Sequence, residues 1–229
     1  MHAAGAAGFV YHDGVMTELA YLGSGNVSRA TAINDAGQVV GESNLTHDAQ
    51  VPTHPFLSEE GRMRDIGTLA GQGVNSAMAI NNAGQIAGYS DAGDGKGTMH
   101  AFLYERGVMT DLGSFGGLDI TIGGMNAWGQ LVGTGNTPDG PDVAFISRAG
   151  SLLNLDSLID AATGWHITAA LDINDNGQII AYACRATECN AVRLDVADAV
   201  PEPDWFWRWL PGLLALVASR WSASARHAG

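Results

Sequence analysis

The sequence predicts an all-β fold: a β-propeller-like array of four-stranded antiparallel blades, about four to five of them and some incomplete, followed by a hydrophobic C-terminal helix. Three observations predict it. The phrase "INDAGQVVGES" from Ile33 returns as "INNAGQIAGYS" from Ile80, "MNAWGQLVGTG" from Met125 and "INDNGQIIAYA" from Ile173, so that Asn34, Asn81, Asn126 and Asn174 stand 47, 45 and 48 residues apart. A second phrase keeps step with it: "GFVYHDGVMTEL", "PFLSEEGRMRDIG", "AFLYERGVMTDLG" and "AFISRAGSLLNL" place Phe9, Phe56, Phe102 and Phe145 at steps of 47, 46 and 43. The 229 residues include 31 Gly, and 46% are apolar against 15% charged, which suits many short strands joined by many turns. A period of 45 or so residues is that of propellers and related arrays.

Each element follows from its residues. In "SAMAINNAGQIAGYS" the apolar runs Ala77 to Ile80 and Gln85 to Tyr89 flank Asn81-Asn82-Ala83-Gly84, residues that tolerate positive φ, so the segment reads as a hairpin with a three- or four-residue loop. In "AFLYERGVMTDLG" two more apolar runs flank Glu105-Arg106-Gly107 and form a second hairpin. Two hairpins per period give four strands, which is one propeller blade. Unbroken apolar runs such as Ala101 to Tyr104 mark strands buried on both faces. The small residues Ala77, Ala79, Ala87 and Ala101 allow close approach, while Phe56, Met63, Ile66, Phe102, Met109 and Leu112 are expected between blades. "NAVRLDV" from Asn190 reads as a decayed fifth copy of the second phrase, and a fourth strand is not seen after it. The chain begins within a repeat. Either the start is internal to a longer frame, or the hairpin at residues 8–20 completes the last blade and closes a four-bladed ring.

Residues that recur with the period are read as structure, because a catalytic centre needs one set of groups and not four. This covers the Asn and Gly of the turns, and also Glu18, Asp65 and Asp111, which share one position. The net charge is −13, with about −14 on residues 1–199 and about +1 on the rest; so acidic a body repels phosphate backbones and disfavours nucleic acid as a partner. Cys184 and Cys189, with four residues between them, would form a disulfide across a hairpin in an oxidising compartment, and no second Cys or His pair completes a zinc site. "GDGKGT" at Gly93 to Thr98 lacks the order of a phosphate loop and reads as a hairpin loop. "DINDNG" at Asp172 to Gly177 opens like a calcium loop, yet Ala183 holds the position where a bidentate Glu is needed. No metal, cofactor or nucleophile motif emerges.

Non-repeating side chains are the fairer candidates for a ligand face. Asp119, Trp165 and His166 fall in the third copy and the link after it, where "NLDSLIDAATGWHI" would form a short helix or a long loop. Asp119, Asp156 and Asp160 supply carboxylates for a rival reading, a carbohydrate-active enzyme with two acids roughly 5–9.5 Å apart in a central pocket.

The phrases "HAFLYERGVMTDLGSFGG" and "SAMAINNAGQIAGYS" resemble the extracellular HAF repeat of bacterial proteins, with His100-Ala101-Phe102 as its signature and His54-Pro55-Phe56 a modified copy. The resemblance spans residues 8–198, fades in the later copies, and implies an exported, propeller-like protein with no catalytic residues. "AVPEPDWFWRWLPGLLALVASRW", in residues 199–229, resembles the PEP-CTERM sorting signal through Pro201, Glu202 and Pro203, the apolar stretch Trp205 to Ala218, and Arg220 and Arg226. That resemblance implies export, recognition by a membrane-bound exosortase at the inner membrane, and delivery to the cell surface or matrix. The apolar stretch falls short of the roughly 20 residues that span a bilayer, so a buried or interfacial helix is the other reading of it. "MHAAGAAGFVYHDG" has no signal-peptide pattern. The expected function is therefore a non-catalytic surface module that binds extracellular polysaccharide or surface proteins. The alternatives are the carbohydrate-active enzyme and a truncated gene fragment without function.

Overall fold

The computed structural model describes residues 6–48, 52–70 and 73–195. Its strands follow the two interleaved phrases. A hairpin of β1 (Phe9–His12) and β2 (Val15–Glu18) comes first. Then come three four-stranded antiparallel meanders. The first holds β3 (Ser28–Ile33), β4 (Val39–Asn44), β5 (Thr53–Glu59) and β6 (Arg62–Asp65). The second holds β7 (Ser76–Ile80), β8 (Ile86–Asp91), β9 (Met99–Glu105) and β10 (Val108–Gly113). The third holds β11 (Ile120–Met125), β12 (Leu131–Asn136), β13 (Asp142–Arg148) and β14 (Ser151–Asn154). Two 3₁₀ turns, Leu155–Leu158 and Ala161–Thr163, lead to a last sheet of three strands, β15 (His166–Ile173), β16 (Ile179–Arg185) and β17 (Glu188–Leu194).

The turns use the chemistry their residues allow. The second hairpin of each sheet closes on a two-residue turn with both φ positive: Glu60-Gly61, Arg106-Gly107 and Ala149-Gly150. Such primed turns match the right-handed twist of the strands they join. In the first hairpin the N–H of Asn81 donates to the carbonyl of Gln85 (3.0 Å) and that of Gly84 to the carbonyl of Asn81 (3.0 Å), with Gly84 at φ 77°. The same pair of bonds recurs at Asn34, Asn126 and Asn174.

Packing between sheets forms the core. Val40, Leu57 and Ile66 of the first sheet meet Ala77, Ile86, Phe102 and Tyr104 of the second. Ala87, Ala101 and Leu112 of the second meet Ile120, Ile122, Leu131 and Phe145 of the third. Val132, Ala144, Ile146 and Leu155 meet Ile167, Ala170, Ile173 and Ile179 of the last. Phe56, Phe102 and Phe145 are fully buried, and Met63 and Met109 are partly so, as their positions in the repeat require.

The array does not close into a ring among the described residues. The hairpin of residues 8–20, which would have completed the last blade, instead lies at the front of the first sheet. Ala6 bridges Val27 in parallel. Val10, Leu19 and Leu22 cover Val39 and Phe56. The physical reason is proximity: the hairpin is joined to the first sheet by a short link and finds there an apolar face that no other strand covers among the described residues. The 3₁₀ turns correct the expected short helix or long loop after β14 to two single turns. The hydrophobic C-terminal helix falls at residues 199–229 and lies outside the described residues, as does any fourth strand after residue 195. Among the described residues no helix is long and apolar enough to cross a membrane.

Candidate functional site

In an antiparallel meander the first–second and third–fourth turns lie at one end of the sheet. The second–third turns and the links between sheets lie at the other. The sequence-derived candidates Asp156, Asp160, Trp165 and His166 belong to the latter end. Asn154 caps the first 3₁₀ turn by accepting from Asp156 N (2.8 Å), and Asp160 caps the second by accepting from Ala162 N (2.9 Å). Asp156 is itself committed: one oxygen accepts from Ile167 N at 2.6 Å and the other meets His166 Nδ1 at 3.1 Å. Trp165 carries the Arg185 guanidinium over its ring, 4.8 Å from the centroid. Asp119 is held elsewhere, at the second–third end of the preceding sheet, where its N–H donates to Asn136 Oδ1 (3.0 Å) and its carbonyl accepts from Asn136 N (3.2 Å). The structure thus brings Asp156, Trp165, His166 and Arg185 together, while the bonds of Asp119 go to Asn136 and those of Asp160 to its own turn.

Cys184 and Cys189 are directly opposed on β16 and β17, with Cα atoms 4.1 Å apart, and are joined by a disulfide. Pro201, Glu202 and Pro203 lie outside the described residues. Among the described residues no group of three or more His, Cys, Asp or Glu is placed to hold a metal ion. Asp172 of the calcium-like phrase bonds Ile173 N at 2.8 Å, and Asp175 accepts from Ala127 N at 2.8 Å.

The recurring acids pair with histidines. His54 Nδ1 lies 2.7 Å from Asp65 Oδ2, and His100 Nδ1 lies 3.0 Å from both oxygens of Asp111. Asp65 and Asp111 each also accept from the N–H two residues on, at Gly67 and Gly113, both at 2.7 Å. The sequence held the signal, since His54 and His100 recur with the same period as the acids, but only strand register puts them face to face. In the loop after β8, Asp94 accepts from Thr98 Oγ1 (2.6 Å) and from Lys96 N (2.8 Å), and these bonds hold its carboxyl below the usual aspartate range. Tyr89 is pushed up, first by burial and then by the Glu42 carboxylate nearby.

Sequence reasoning missed the opposite end. A groove of about 230 Å³ opens there between the second and third sheets. Leu103, Thr110 and Leu112 line one side, and Trp128 to Gln130 with Ser147 to Gly150 line the other. Trp128 is 60% exposed, and its Nε1–H is fixed by a 3.0 Å bond to the carbonyl of Asp175. The available signal was the departure from the repeat, because Ala36, Ala83 and Asn176 hold the equivalent turn position.

No family model matches the chain, and no curated protein does. Among solved structures it is similar to the uncomplexed acylaminoacyl peptidase of Pyrococcus horikoshii, at 12% identity and a TM-score of 0.49, over 79% of this chain and 27% of that one. It is also similar to acylaminoacyl peptidase in complex with Z-Gly-Gly-Phe-chloromethyl ketone, at 12% identity and a TM-score of 0.44, over 73% of this chain and 25% of that one. The chain spans about a quarter of the length of these structures.

Proposed function

We infer that the chain is an exported, non-catalytic repeat module of the bacterial cell surface or extracellular matrix, which acts by binding polysaccharide or surface proteins and is sorted by an exosortase through its tail. One observation carries the reading. The polar side chains that recur with the period are consumed in turns and in bonds from sheet to sheet, and of the candidate acids the carboxylates of Asp156 and Asp160 accept local backbone bonds while Asp119 bonds Asn136 through its backbone. What remains for recognition is the rim, where Trp128, Trp165 and Arg185 break the pattern. The Cys184–Cys189 disulfide supports an oxidising compartment. Pro201-Glu202-Pro203 and the apolar stretch after it support the sorting route.

The test is fractionation of a Gram-negative host that makes an exosortase, with the full chain carrying a C-terminal tag and detected also by antibody to the repeat body. Recovery of the body outside the inner membrane without its tag is the expected result. A body that stays in the cytosol with its tag overturns the export reading.

A further inference from the structure

The three sheet-to-sheet junctions can be compared position by position, because strand register fixes which residues correspond. Arg64 pairs with Leu57, Thr110 with Leu103 and Leu153 with Ile146, so these three residues occupy one place on the fourth strand. Opposite them on the next sheet, Tyr104 pairs with Ile86 and Leu194 with Ile179, while Ser147 stands in the same place two residues past Phe145.

At the first junction Arg64 reaches across, donates to Tyr104 Oη at 2.8 Å and lies over the ring at 5.7 Å, which fills the space. At the third junction Leu153 and Leu194 belong to one apolar cluster and fill it again. At the second junction both places hold small hydroxyl residues, Thr110 and Ser147, and the groove is there. Two independent truncations at facing positions, with a bulky Trp128 added at the rim, make this junction unlike its neighbours.

The donors around the groove also differ from those of the first and last sheets. Gln38 Nε2 donates to Glu59 at 2.8 Å, and Gln178 Nε2 donates to Asp195 at 2.8 Å. The equivalent of Glu59 and Asp195 beside Gln130 is Arg148, itself a donor. Gln130 therefore has no acceptor in that place, and its oxygen is already taken by Asn126 Nδ2 at 2.8 Å. A guanidinium and an amide that cannot satisfy each other flank an apolar floor and a flat indole held in place by a bond to the neighbouring sheet. The complementary ligand offers a flat C–H face to the indole and acceptor oxygens to the donors.

We propose that this groove binds one sugar ring, stacked on Trp128 and held through its oxygens by Arg148, Gln130 and the hydroxyl of Thr110. The groove is smaller than the roughly 300–1,000 Å³ of pockets for drug-sized ligands, which suits a single ring of a longer chain. Acceptor oxygens come equally from hydroxyls of a neutral glycan and carboxylates of a uronate. The proposal deepens the binding-module reading and rests on it.

The test is titration calorimetry of the full chain with a neutral glucan oligosaccharide and, separately, with an oligouronate. Saturable binding of either is expected. Trp128→Ala, which restores the residue of the second sheet's turn, and Arg148→Glu, which gives Gln130 the acceptor that Gln38 has, should each weaken binding by roughly tenfold or more. The double change Thr110→Arg with Ser147→Tyr rebuilds the first junction and should abolish binding while leaving the unfolding midpoint within a few degrees of the parent. Circular dichroism of each variant separates loss of the site from loss of the fold, and the two single variants keep the test open if the rebuilt junction fails to fold. Binding that survives all three changes places the sugar elsewhere and overturns the groove while sparing the module. Absence of binding to both probes overturns the groove as well, and the fractionation experiment still decides export.

Discussion

The side-chain amide of Asn81 bonds in two directions: one hydrogen goes to Gln85 Oε1 in its own turn (2.7 Å) and the other to the backbone carbonyl of Asn126 in the next sheet (3.2 Å). Its oxygen meanwhile accepts from Ala83 N and Gln85 N. Asn34 bonds the carbonyl of Asn81 in the same way at 3.1 Å, and Asn126 that of Asn174 at 3.4 Å. A turn residue thus doubles as the stitch between sheets. Asn174 keeps the bonds within its turn and is exposed, with no described sheet beyond it.

Asn81→Ala and Asn174→Ala should therefore differ, although the two residues look alike in sequence. Asn81→Ala removes one of the two donors to the buried Asn126 carbonyl, which keeps the N–H of Gly129, and takes the acceptor from the Ala83 and Gln85 amides. It is expected to cost roughly 2–4 kcal/mol, at about 1–3 kcal/mol for each buried group left unpaired. Asn174→Ala opens only a solvated turn and should cost roughly half of that or less. Urea unfolding of both variants measures the difference, and equal losses would show that the bond between sheets contributes nothing.

A second relation joins Phe102 to Gly88. A Cβ at Gly88 would lie 2.7 Å from Phe102 Cζ and would also press on the carbonyl of Ser76. Gly133 stands in the same relation to Phe145 and Thr121. Where the phrase decays, Val192 replaces the Phe, its partner is Ala181, and β15 carries a second bulge, between Ile167 and Ala169, which the other first strands do not have. Gly88→Ala should cost about 1–3 kcal/mol through overpacking. Combining it with Phe102→Val should cost less than the sum of the two single changes by about 0.5 kcal/mol or more, the coupling expected of residues in contact. An additive double-mutant cycle would mean that the ring does not dictate the glycine.

These two relations explain how much of the molecule could be read beforehand. The strand count, the turn positions and the buried Phe and Ala residues follow from local patterns, because hairpins are specified by residues close in sequence. The stitch from Asn81 to Asn126 was invisible, since an Asn in a turn is fully explained by the turn. The placement of residues 8–20 depended on which apolar face lay nearest, a tertiary matter that the repeat alone leaves open. The candidate ligand face was half legible: Asp156, Trp165 and His166 sit together because they share one connection. Asp119 shares with them only the break from the repeat, and the fold places it beside Asn136. Arg185 joined them through the register of β16, and the groove at Trp128 appeared only when facing residues of two sheets, Thr110 and Ser147, were both seen to be small.

The disulfide lends itself to a simple measurement. Cys184 and Cys189 close a loop of only a few residues across an existing strand pair, so chain entropy limits the stabilisation to about 2 kcal/mol. Reduction should lower the protection of β16 and β17 amides in hydrogen exchange while β7 to β10 keep theirs, as expected of an array in which each sheet touches only its neighbours. Equal loss of protection in the second sheet would indicate that the array unfolds as one unit.

The loop after β8 is tied to pH through Asp94. Thr98 Oγ1 and Lys96 N–H both donate to Asp94, and these bonds favour the ionised carboxylate, so its folded pKa lies below the ordinary value of 3.8. A depressed carboxylate contributes its ordering fully above the ordinary value and loses it as pH falls through the lowered one. The loop should accordingly hold its conformation from neutrality down to about pH 5 and loosen only below the usual aspartate range. Following the Asp94 carboxyl and the Thr98 amide by NMR across that range tests the point directly, with a shared midpoint below that of a model aspartate expected. Asp94→Ala should raise the mobility of the loop at all pH values and leave the unfolding midpoint nearly unchanged, because the carboxylate is fully solvated. A carboxyl that titrates at or above the model value would mean that the bonds from Thr98 and Lys96 do not persist in solution.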